Sequence, residues 1–403
     1  MNTAMSPRST LALALTLAAL TASGAAAAKG AANHGFQTLY TFTGGNDGGF
    51  PLGNLISDAD GNLYGTSVLG GTSGNGAVFK LAPDGTQTVL YSFTGGADGA
   101  QPYSGLVRDK VGNLYGTTYM GGTSGLGAVY KLAPDGTETV LMSFDGSNGS
   151  LPANTLTLDR KGNIYGVASA GGAFGYGTVF TISSAGKTNV LYSFTGGADG
   201  NTPYSSLVRD TAGNLYGTTL YGGATKGGTV FKVTKTGTES VLYSFVLQDG
   251  TTDGFFPQSG LIQDKTGNFY GTTTSGGSGS MGTVFKLTPD GTETVLYRFT
   301  GVGNGDGAAP TSGLIMNRAG NLFGTTSHGG SVGVDGDSSG NGTVFELMPD
   351  GKEKVLYRFT GGADGAYSNA GLIDIRPDGL PDIYGTTILG GADGIGTIFR
   401  LKK

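Results

Sequence analysis

The sequence predicts an all-β fold, a seven-bladed β-propeller of four-stranded antiparallel blades. One phrase recurs seven times in the 403 residues, first as Gly61-Asn62-Leu63-Tyr64-Gly65-Thr66 and last, degraded, as Asp382-Ile383-Tyr384. Its aromatic residue returns after 51, 50, 51, 54, 53 and 61 residues. A repeat of this length is typical of solenoids, propellers and arrays of small units. The short strands inside each unit favour the propeller.

Each unit contains four strand-like runs. In the second unit they are residues 106–108, 114–118, 128–132 and 139–144. Turns rich in Asp, Asn, Gly and Pro join the first pair and the last pair, and a Gly-rich loop joins the middle pair. No helical pattern intervenes, so each unit is predicted to be one antiparallel blade.

The two ends of the repeat region predict how the ring closes. Residues 36–42 read like a fourth strand, and residues 396–401 read like a third. Only a closed ring lets the first segment complete the blade that ends at Leu401, which removes both free sheet edges. We therefore predict one propeller over residues 36–403, with repeats of about 50–61 residues. Aromatic residues that recur at equivalent places are predicted to pack blade on blade.

Composition and the N-terminus suggest an exported protein. Arg8, an apolar run over residues 11–20 and four alanines at 25–28 have the order of a signal peptide, so residues 1–28 are predicted to be cleaved and 29–35 to form a short tail. Net charge is −5 and pI about 5.0, which argues against nucleic acid or an anionic membrane as partner. With no Cys, closure cannot depend on disulfides. A secreted or periplasmic monomer without a transmembrane segment is expected.

The repeated sequence motifs also resemble a known family. Residues 105–109, 112–118, 121–122 and 92–99 are similar to the Gloeo/Verruco (GloVer) tandem repeat of exported bacterial proteins, and the resemblance covers residues 36–403. Related sequence repeats occur in sensor propellers attached to two-component regulators. The resemblance implies an extracytoplasmic location and often a C-terminal sorting anchor, which this sequence lacks. It brings no established activity.

The long connections, between strands two and three and between strand four and the next strand one, are predicted to share one face. Binding belongs on such loops. Each strand-four connection repeats an acidic residue or Asn followed by Gly. Two interpretations stand: a carboxylate ring for a metal or cationic ligand, or an Asx-type turn that every blade needs. The seven positions are Asp47, Asp98, Asn148, Asp199, Asp253, Asp306 and Asp364.

The sixth unit has the longest insertion, and its spacing matches a calcium loop. Counted from Asp335, side-chain oxygens fall at positions 1, 3, 5 and 12 (Asp335, Asp337, Ser339 and Glu346), with Gly340 at position 6 and the Asn341 carbonyl as a seventh-position ligand. Lys occupies the place of Glu346 in four other units. Calcium is the one cofactor predicted, and a solvated surface loop is the alternative.

Aromatic residues outside the repeat pattern mark a second candidate site. On the loop face they would stack on sugar rings or grip a peptide, or else plug the channel. His328 lies at the start of this face and is a further candidate for ligand binding, whereas His34 precedes the first strand, and no catalytic set accompanies either. The candidates are Tyr103, Tyr119, Phe174, Tyr176, Tyr204, Tyr221, Phe255, Phe256 and Tyr367.

Together these features predict a secreted, non-catalytic binding propeller whose ligand is a glycan or an envelope protein. The alternative is an exported hydrolase or lyase acting on polysaccharide from the loop face. Paired carboxylates for such chemistry are compatible with the composition, because their separations are invisible in a sequence.

Overall fold

A computed structural model describes residues 35–248, 253–331, 339–375 and 382–402 of the chain. The predicted signal peptide, residues 1–28, lies outside them. Seven four-stranded antiparallel sheets form the ring, which confirms the predicted propeller. In the described ranges, no helix has the length and apolar character that a membrane span requires. One 3-10 turn, Val302–Asn304, lies after the fifth blade.

Each blade runs from a two-residue first strand to a longer fourth strand. Blade one is formed by Ile56–Ser57, Leu63–Ser67, Ala77–Leu81 and Gln87–Ser92. Blade two has Val107–Arg108, Leu114–Thr118, Ala128–Leu132 and Glu138–Ser143. Blade three has Thr157–Leu158, Ile164–Ala168, Thr178–Ile182 and Thr188–Ser193. Blade four has Val208–Arg209, Leu215–Tyr221, Lys226–Val233 and Glu239–Val246, with Asn201–Pro203 as an added strand.

The remaining blades follow the same order. Blade five has Ile262–Gln263, Phe269–Thr273, Thr283–Leu287 and Glu293–Arg298. Blade six has Ile315–Met316, Leu322–Thr326, Thr343–Leu347 and Glu353–Arg358. Blade seven has Ile373–Asp374, Asp382–Thr387, Thr397–Lys402 and, from the other end of the chain, Phe36–Thr41. Two small ribbons lie on the loops, Gly254–Phe255 with Ser275–Gly276 and Gly307–Ala308 with His328–Gly329.

One aromatic contact is repeated at all seven blade interfaces. The Phe at the end of strand four meets the central aromatic of strand three in the next blade, edge to face, with centroids 5.0–5.3 Å apart. A Cβ added at Gly65 would lie 2.5 Å from Cζ of Phe79, so the Gly of the repeated phrase leaves room for this ring. The pairs are Phe42–Phe79, Phe93–Tyr130, Phe144–Phe180, Phe194–Phe231, Phe245–Phe285, Phe299–Phe345 and Phe359–Phe399.

The chain ends meet as predicted. The strand Phe36–Thr41 pairs with Thr397–Lys402, with Phe36 opposite Leu401. Thr386 Oγ1 of blade seven also donates to the Pro51 carbonyl at 2.9 Å. The equivalent bond joins blade two to blade three, where Thr117 Oγ1 donates to the Pro152 carbonyl at 3.3 Å. The seventh interface is therefore built like the others.

Candidate functional site

Two faces of the ring differ in construction. The tight turns between strands one and two and between strands three and four form the turn face, and the two longer connections form the loop face.

On the turn face, Asp109 anchors the turn of blade two. It accepts hydrogen bonds from the Asn113 backbone N–H (2.9 Å), Asn113 Nδ2 (2.7 Å) and Tyr115 hydroxyl (3.0 Å). Burial alone would raise the pKa of Asp109, but the bonds from Asn113 and Tyr115 outweigh it and lower the pKa. The same network occurs in blades one to five.

Blade six builds this network with different residues. Asn317 replaces the acid and Phe323 replaces the tyrosine, so both the carboxylate and the hydroxyl are lost. Glu346, buried on strand three, supplies a carboxylate instead, because its Oε1 accepts a hydrogen bond from Asn321 Nδ2 at 2.7 Å. The change from Lys to Glu at this position therefore belongs to the turn face.

Glu346 was wrongly assigned to the calcium loop. Residues 343–347 form an extended strand, and the three steps from Thr343 to Glu346 alone cover about 10 Å. Calcium ligands lie only about 2.5 Å from the ion, so one ion cannot join the Asn341 carbonyl to Glu346. That carbonyl accepts the Tyr367 N–H at 3.0 Å. Ser339 lies in the loop, and Asp335 and Asp337 lie outside the described residues.

The repeated acidic-Gly pair has a structural role. Asp98 Oδ2 accepts the Tyr91 hydroxyl (3.1 Å) and the Thr94 N–H (2.7 Å), while Oδ1 accepts the Thr94 hydroxyl (2.5 Å). The Asp therefore ties the start of the loop to strand four. Within the described ranges, no group of three or more acidic or His side chains is arranged to hold a metal ion. The turn interpretation accounts for these positions.

A second set of acids lies in grooves between blades. Asp199 and Glu239 line an open groove of about 490 Å³ between blades three and four. Burial, and then the nearby Asp199 carboxylate, raise the pKa of Glu239 to about 7. Glu239 Oε1 is buried without a hydrogen-bond donor in the described structure. Equivalent pairs are Asp98 with Glu138, Asp253 with Glu293 and Asp306 with Glu353.

On the loop face, three predicted tyrosines come together. Tyr103 and Tyr119 lie edge to face with centroids 4.8 Å apart, and Tyr204 joins them in one apolar cluster. Tyr103 is only 8% exposed, whereas Tyr119 and Tyr204 are half-buried. Burial, and then Tyr119, raise the pKa of Tyr103 to about 12. We call Tyr103, Tyr119 and Tyr204 the tyrosine patch.

The hydroxyls of the patch differ from those of the scaffold. Eleven tyrosines of the ring donate their hydroxyl to an Asp. The three hydroxyls of the tyrosine patch have no hydrogen bond within the described chain. Tyr130 alone among the described tyrosines has a hydroxyl that is both buried and unpartnered. The patch hydroxyls are therefore not committed to the scaffold, and a ligand could bond them.

The other aromatic candidates form separate groups. Tyr221 packs edge to face with Phe256, which in turn contacts Phe255. Phe174 and Tyr176 project from one loop of blade three and are 59% and 46% exposed. His328 Nδ1 lies 2.8 Å from the Ser327 hydroxyl, and its ring is 5.3 Å from that of Tyr367. The candidates are thus spread round the face rather than gathered in one pocket.

A feature that the sequence analysis missed surrounds these groups. In every blade, the residue that leads into strand one has a positive φ, between 50° and 60°, although none is glycine. Such a conformation costs on the order of 1–3 kcal/mol for a residue with a side chain. We call these residues the positive-φ ring: Phe50, Gln101, Leu151, Thr202, Phe256, Ala309 and Tyr367.

Backbone hydrogen bonds hold this conformation between two blades. The Gln101 N–H donates to the Asn75 carbonyl of blade one at 2.7 Å, and the Gln101 carbonyl accepts the Tyr119 N–H of blade two at 2.9 Å. All seven N–H groups of the ring donate to the preceding blade in this way. The backbone is therefore constant while the side chains vary.

A second ring of variable residues lies two positions further along the chain, before strand one. Neighbouring members meet across blades: the Thr311 hydroxyl donates to Asn369 Oδ1 at 3.0 Å, and Leu52 lies in the cluster with Tyr103. Six of the seven blades place a Pro between the two rings. A non-glycine residue before this Pro was the one sequence signal that could have revealed the two rings of variable side chains. The second ring is Leu52, Tyr103, Ala153, Tyr204, Gln258, Thr311 and Asn369.

Comparison with known proteins supports the family and the fold. The Gloeobacter/Verrucomicrobia repeat matches residues 20–173 and 153–374, and no curated protein matches the sequence significantly. Two similar structures, both from B. thetaiotaomicron, are extracellular domains of proteins described as a one component system and a hybrid two component system. Each is 13% identical with a TM-score of 0.57, covering 91% and 92% of this chain.

These likenesses show the fold alone. The chain spans only 40% and 41% of the length of those two structures. A protein from Bacteroides uniformis described as a 6-phosphogluconolactonase is 17% identical with a TM-score of 0.49, covering 84% of this chain and 94% of its own.

Proposed function

The chain belongs to the Gloeobacter/Verrucomicrobia repeat family, and from this premise we propose that it is an exported, non-catalytic propeller that binds a glycan or an envelope protein on its loop face. The observation that carries the proposal is the tyrosine patch. Three tyrosines there combine apolar faces with hydroxyls that no described residue bonds, whereas scaffold tyrosines such as Tyr115 donate their hydroxyl to an Asp. Aromatic side chains of this kind bind at low conformational cost.

The location of the acids favours binding over hydrolysis. A glycosidase places two carboxylates on either side of the bond it cleaves. No Asp or Glu occupies the positive-φ ring or the second ring. The paired acids lie instead in the side grooves between blades, such as Asp199 and Glu239. The extracellular domains with a similar fold support an exported location.

The proposal is tested on residues 29–403 with a glycan array and a displayed peptide library. Tyr119→Ala and Tyr204→Ala should each weaken the best hit at least tenfold, since each removes part of the apolar surface that a ligand would cover. Val111→Ala, on the turn face of the same blade as Tyr119 and 75% exposed, is the matched control and should change nothing.

Two results would count against it. Equal binding by wild type and both tyrosine variants would remove the patch as the site. Turnover of a polysaccharide by wild type, lost in Glu239→Gln, would favour an enzyme working in the side grooves.

A further inference from the structure

The positive-φ ring keeps side chains where the backbone favours glycine. The same loops use glycine at neighbouring positive-φ positions such as Gly48 and Gly99, and the chain has 79 glycines. At the ring itself none of the seven residues is glycine. The clamp between blades uses only backbone atoms, as in the bond from Gln101 N–H to the Asn75 carbonyl, so glycine would serve it equally well. The seven residues therefore keep a side chain despite the backbone strain of a positive φ.

Variation among the seven copies separates recognition from packing. Where a side chain packs between blades, the seven copies are nearly identical, as in the edge-to-face set that contains Phe79 and Tyr130. The positive-φ ring carries aromatic, aliphatic, amide and hydroxyl side chains on one constant backbone. All seven are half-buried, so each presents part of its surface to solvent. This is what an adaptable binding surface on a rigid scaffold requires.

The chemistry of the two rings points to an uncharged ligand. The fourteen positions carry no Asp, Glu, Lys or Arg, although the chain has 24 basic and 29 acidic residues. A charged ligand would lose water there without gaining an opposite charge. Aromatic faces, the tyrosine-patch hydroxyls and the Gln101 and Gln258 amides, which make no hydrogen bond in the described chain, suit a molecule rich in neutral hydroxyls.

We propose that the ligand is a neutral oligosaccharide and that the side chains of the positive-φ ring select it. The inference rests on the proposed function, because it names the ligand class of the same loop-face site. It commits to sugar rather than peptide and to neutral rather than acidic sugar.

The experiment measures binding of cellohexaose, maltohexaose, mannohexaose and hexagalacturonate to residues 29–403 by calorimetry, with a peptide library as a separate arm. At least one neutral hexasaccharide should bind more than tenfold tighter than hexagalacturonate. Gln101→Gly and Phe256→Gly should weaken that binding at least fivefold, or exchange the preferred sugar. Gln101→Gly should leave the melting temperature unchanged, whereas Phe256→Gly loses the contacts with Tyr221 and Phe255 and is compared at a temperature where its far-UV CD is native. Lys226→Gly is the matched control, since Lys226 also has a positive φ (65°) but lies outside the ring.

Each of the other outcomes would overturn one part of the proposal, either the ligand class or the role of the positive-φ ring. If no neutral hexasaccharide binds at millimolar concentration, or if hexagalacturonate is preferred, the ligand class is wrong. The proposed function still stands if the peptide or uronate that binds instead is lost in Tyr119→Ala. If a neutral sugar binds wild type and both glycine variants equally, selection by the positive-φ ring is wrong.

Discussion

The scaffold of this propeller and its loop face use the same residue types in opposite ways. On the scaffold, tyrosines such as Tyr115 donate to an Asp, and this contact recurs in blades one to five. On the loop face, Tyr119 and Tyr204 have hydroxyls without a partner in the described chain, and the surrounding positions differ from blade to blade. Copied contacts serve stability, which every blade needs. Positions that vary on a copied backbone are free to serve recognition.

The largest effect should come from breaking the ring at its closure. Phe42→Ala removes the edge-to-face contact with Phe79 and leaves a cavity between blades seven and one. We expect a loss of about 3–5 kcal/mol in the free energy of unfolding. Tyr119→Phe on the loop face should change it by less than about 0.5 kcal/mol. Chemical denaturation of both variants measures the contrast, and equal losses would contradict the division between scaffold and loop face.

The turn face should be the next most sensitive region. Asp109→Ala leaves the Asn113 amide and Tyr115 hydroxyl without their acceptor, at a cost of about 2–3 kcal/mol. Asp135→Ala, in the exposed turn between strands three and four of the same blade, is the control and should have little effect. Thermal unfolding of the two variants tests this. If Asp109→Ala left the melting temperature unchanged, water would be replacing the hydrogen bonds of the network.

The side grooves predict how stability depends on pH. Burial and then Asp98 raise the pKa of Glu138 to about 7, and Glu239, Glu293 and Glu353 behave alike, although Arg298 and Arg358 partly offset the last two. Each folded pKa exceeds the unfolded value near 4.5, so the protonated form stabilises the fold. That stability is complete below pH 4.5 and is lost as pH rises through 7.

The four groups together should therefore lower the melting temperature between pH 5 and pH 8. Since each Glu is part-exposed, screening leaves roughly 0.5 kcal/mol for each pair. The quadruple variant with Gln at all four positions should be nearly flat over this range. A wild-type melting temperature that rises from pH 5 to pH 8 would contradict the raised pKa values.

In blade two the central aromatic of strand three departs from the repeated pattern, and substituting it should make the protein more stable. Tyr130 stands where the other six blades have Phe, and its buried hydroxyl has no partner in the described structure. Tyr130→Phe should stabilise the protein by about 1 kcal/mol, because it removes an unsatisfied polar group at constant shape. The reciprocal variant Phe180→Tyr should destabilise it by a similar amount. A stabilising Phe180→Tyr would refute this reasoning.

Calcium is expected to have the smallest effect. Without Glu346, the proposed site retains Asp335, Asp337, Ser339 and the Asn341 carbonyl, fewer groups than the six to eight oxygens that calcium prefers. One millimolar calcium should stabilise the protein by less than about 1 kcal/mol. Any shift should vanish in Asp337→Ala. Glu346→Gln should lower the melting temperature equally with calcium and with EDTA, since Glu346 bonds Asn321.

Repetition let the sequence by itself determine the architecture. Seven copies of one motif, with a lone fourth strand at 36–42 and a third strand at 396–401, specified the blade number and the closing pair, because each unit must bury its faces against similar neighbours. The aromatic residues copied in every unit were for the same reason correctly expected between blades. The acidic-Gly pair remained ambiguous in the sequence, since a turn and a metal ring require the same residues.

Only the tertiary structure decided which residues meet. Loop spacing suggested that Glu346 belongs with Ser339, but the extended strand carries it to Asn321 on the opposite face. Tyr103 and Tyr204 lie 101 positions apart in the sequence and join one cluster because the ring brings the leading segments of blades two, three and four together, with Ala153 from blade three between them in the chain. The positive φ of the seven ring residues likewise arises from backbone bonds to two different blades. Contacts between units depend on the closed ring, and a single repeat does not contain them.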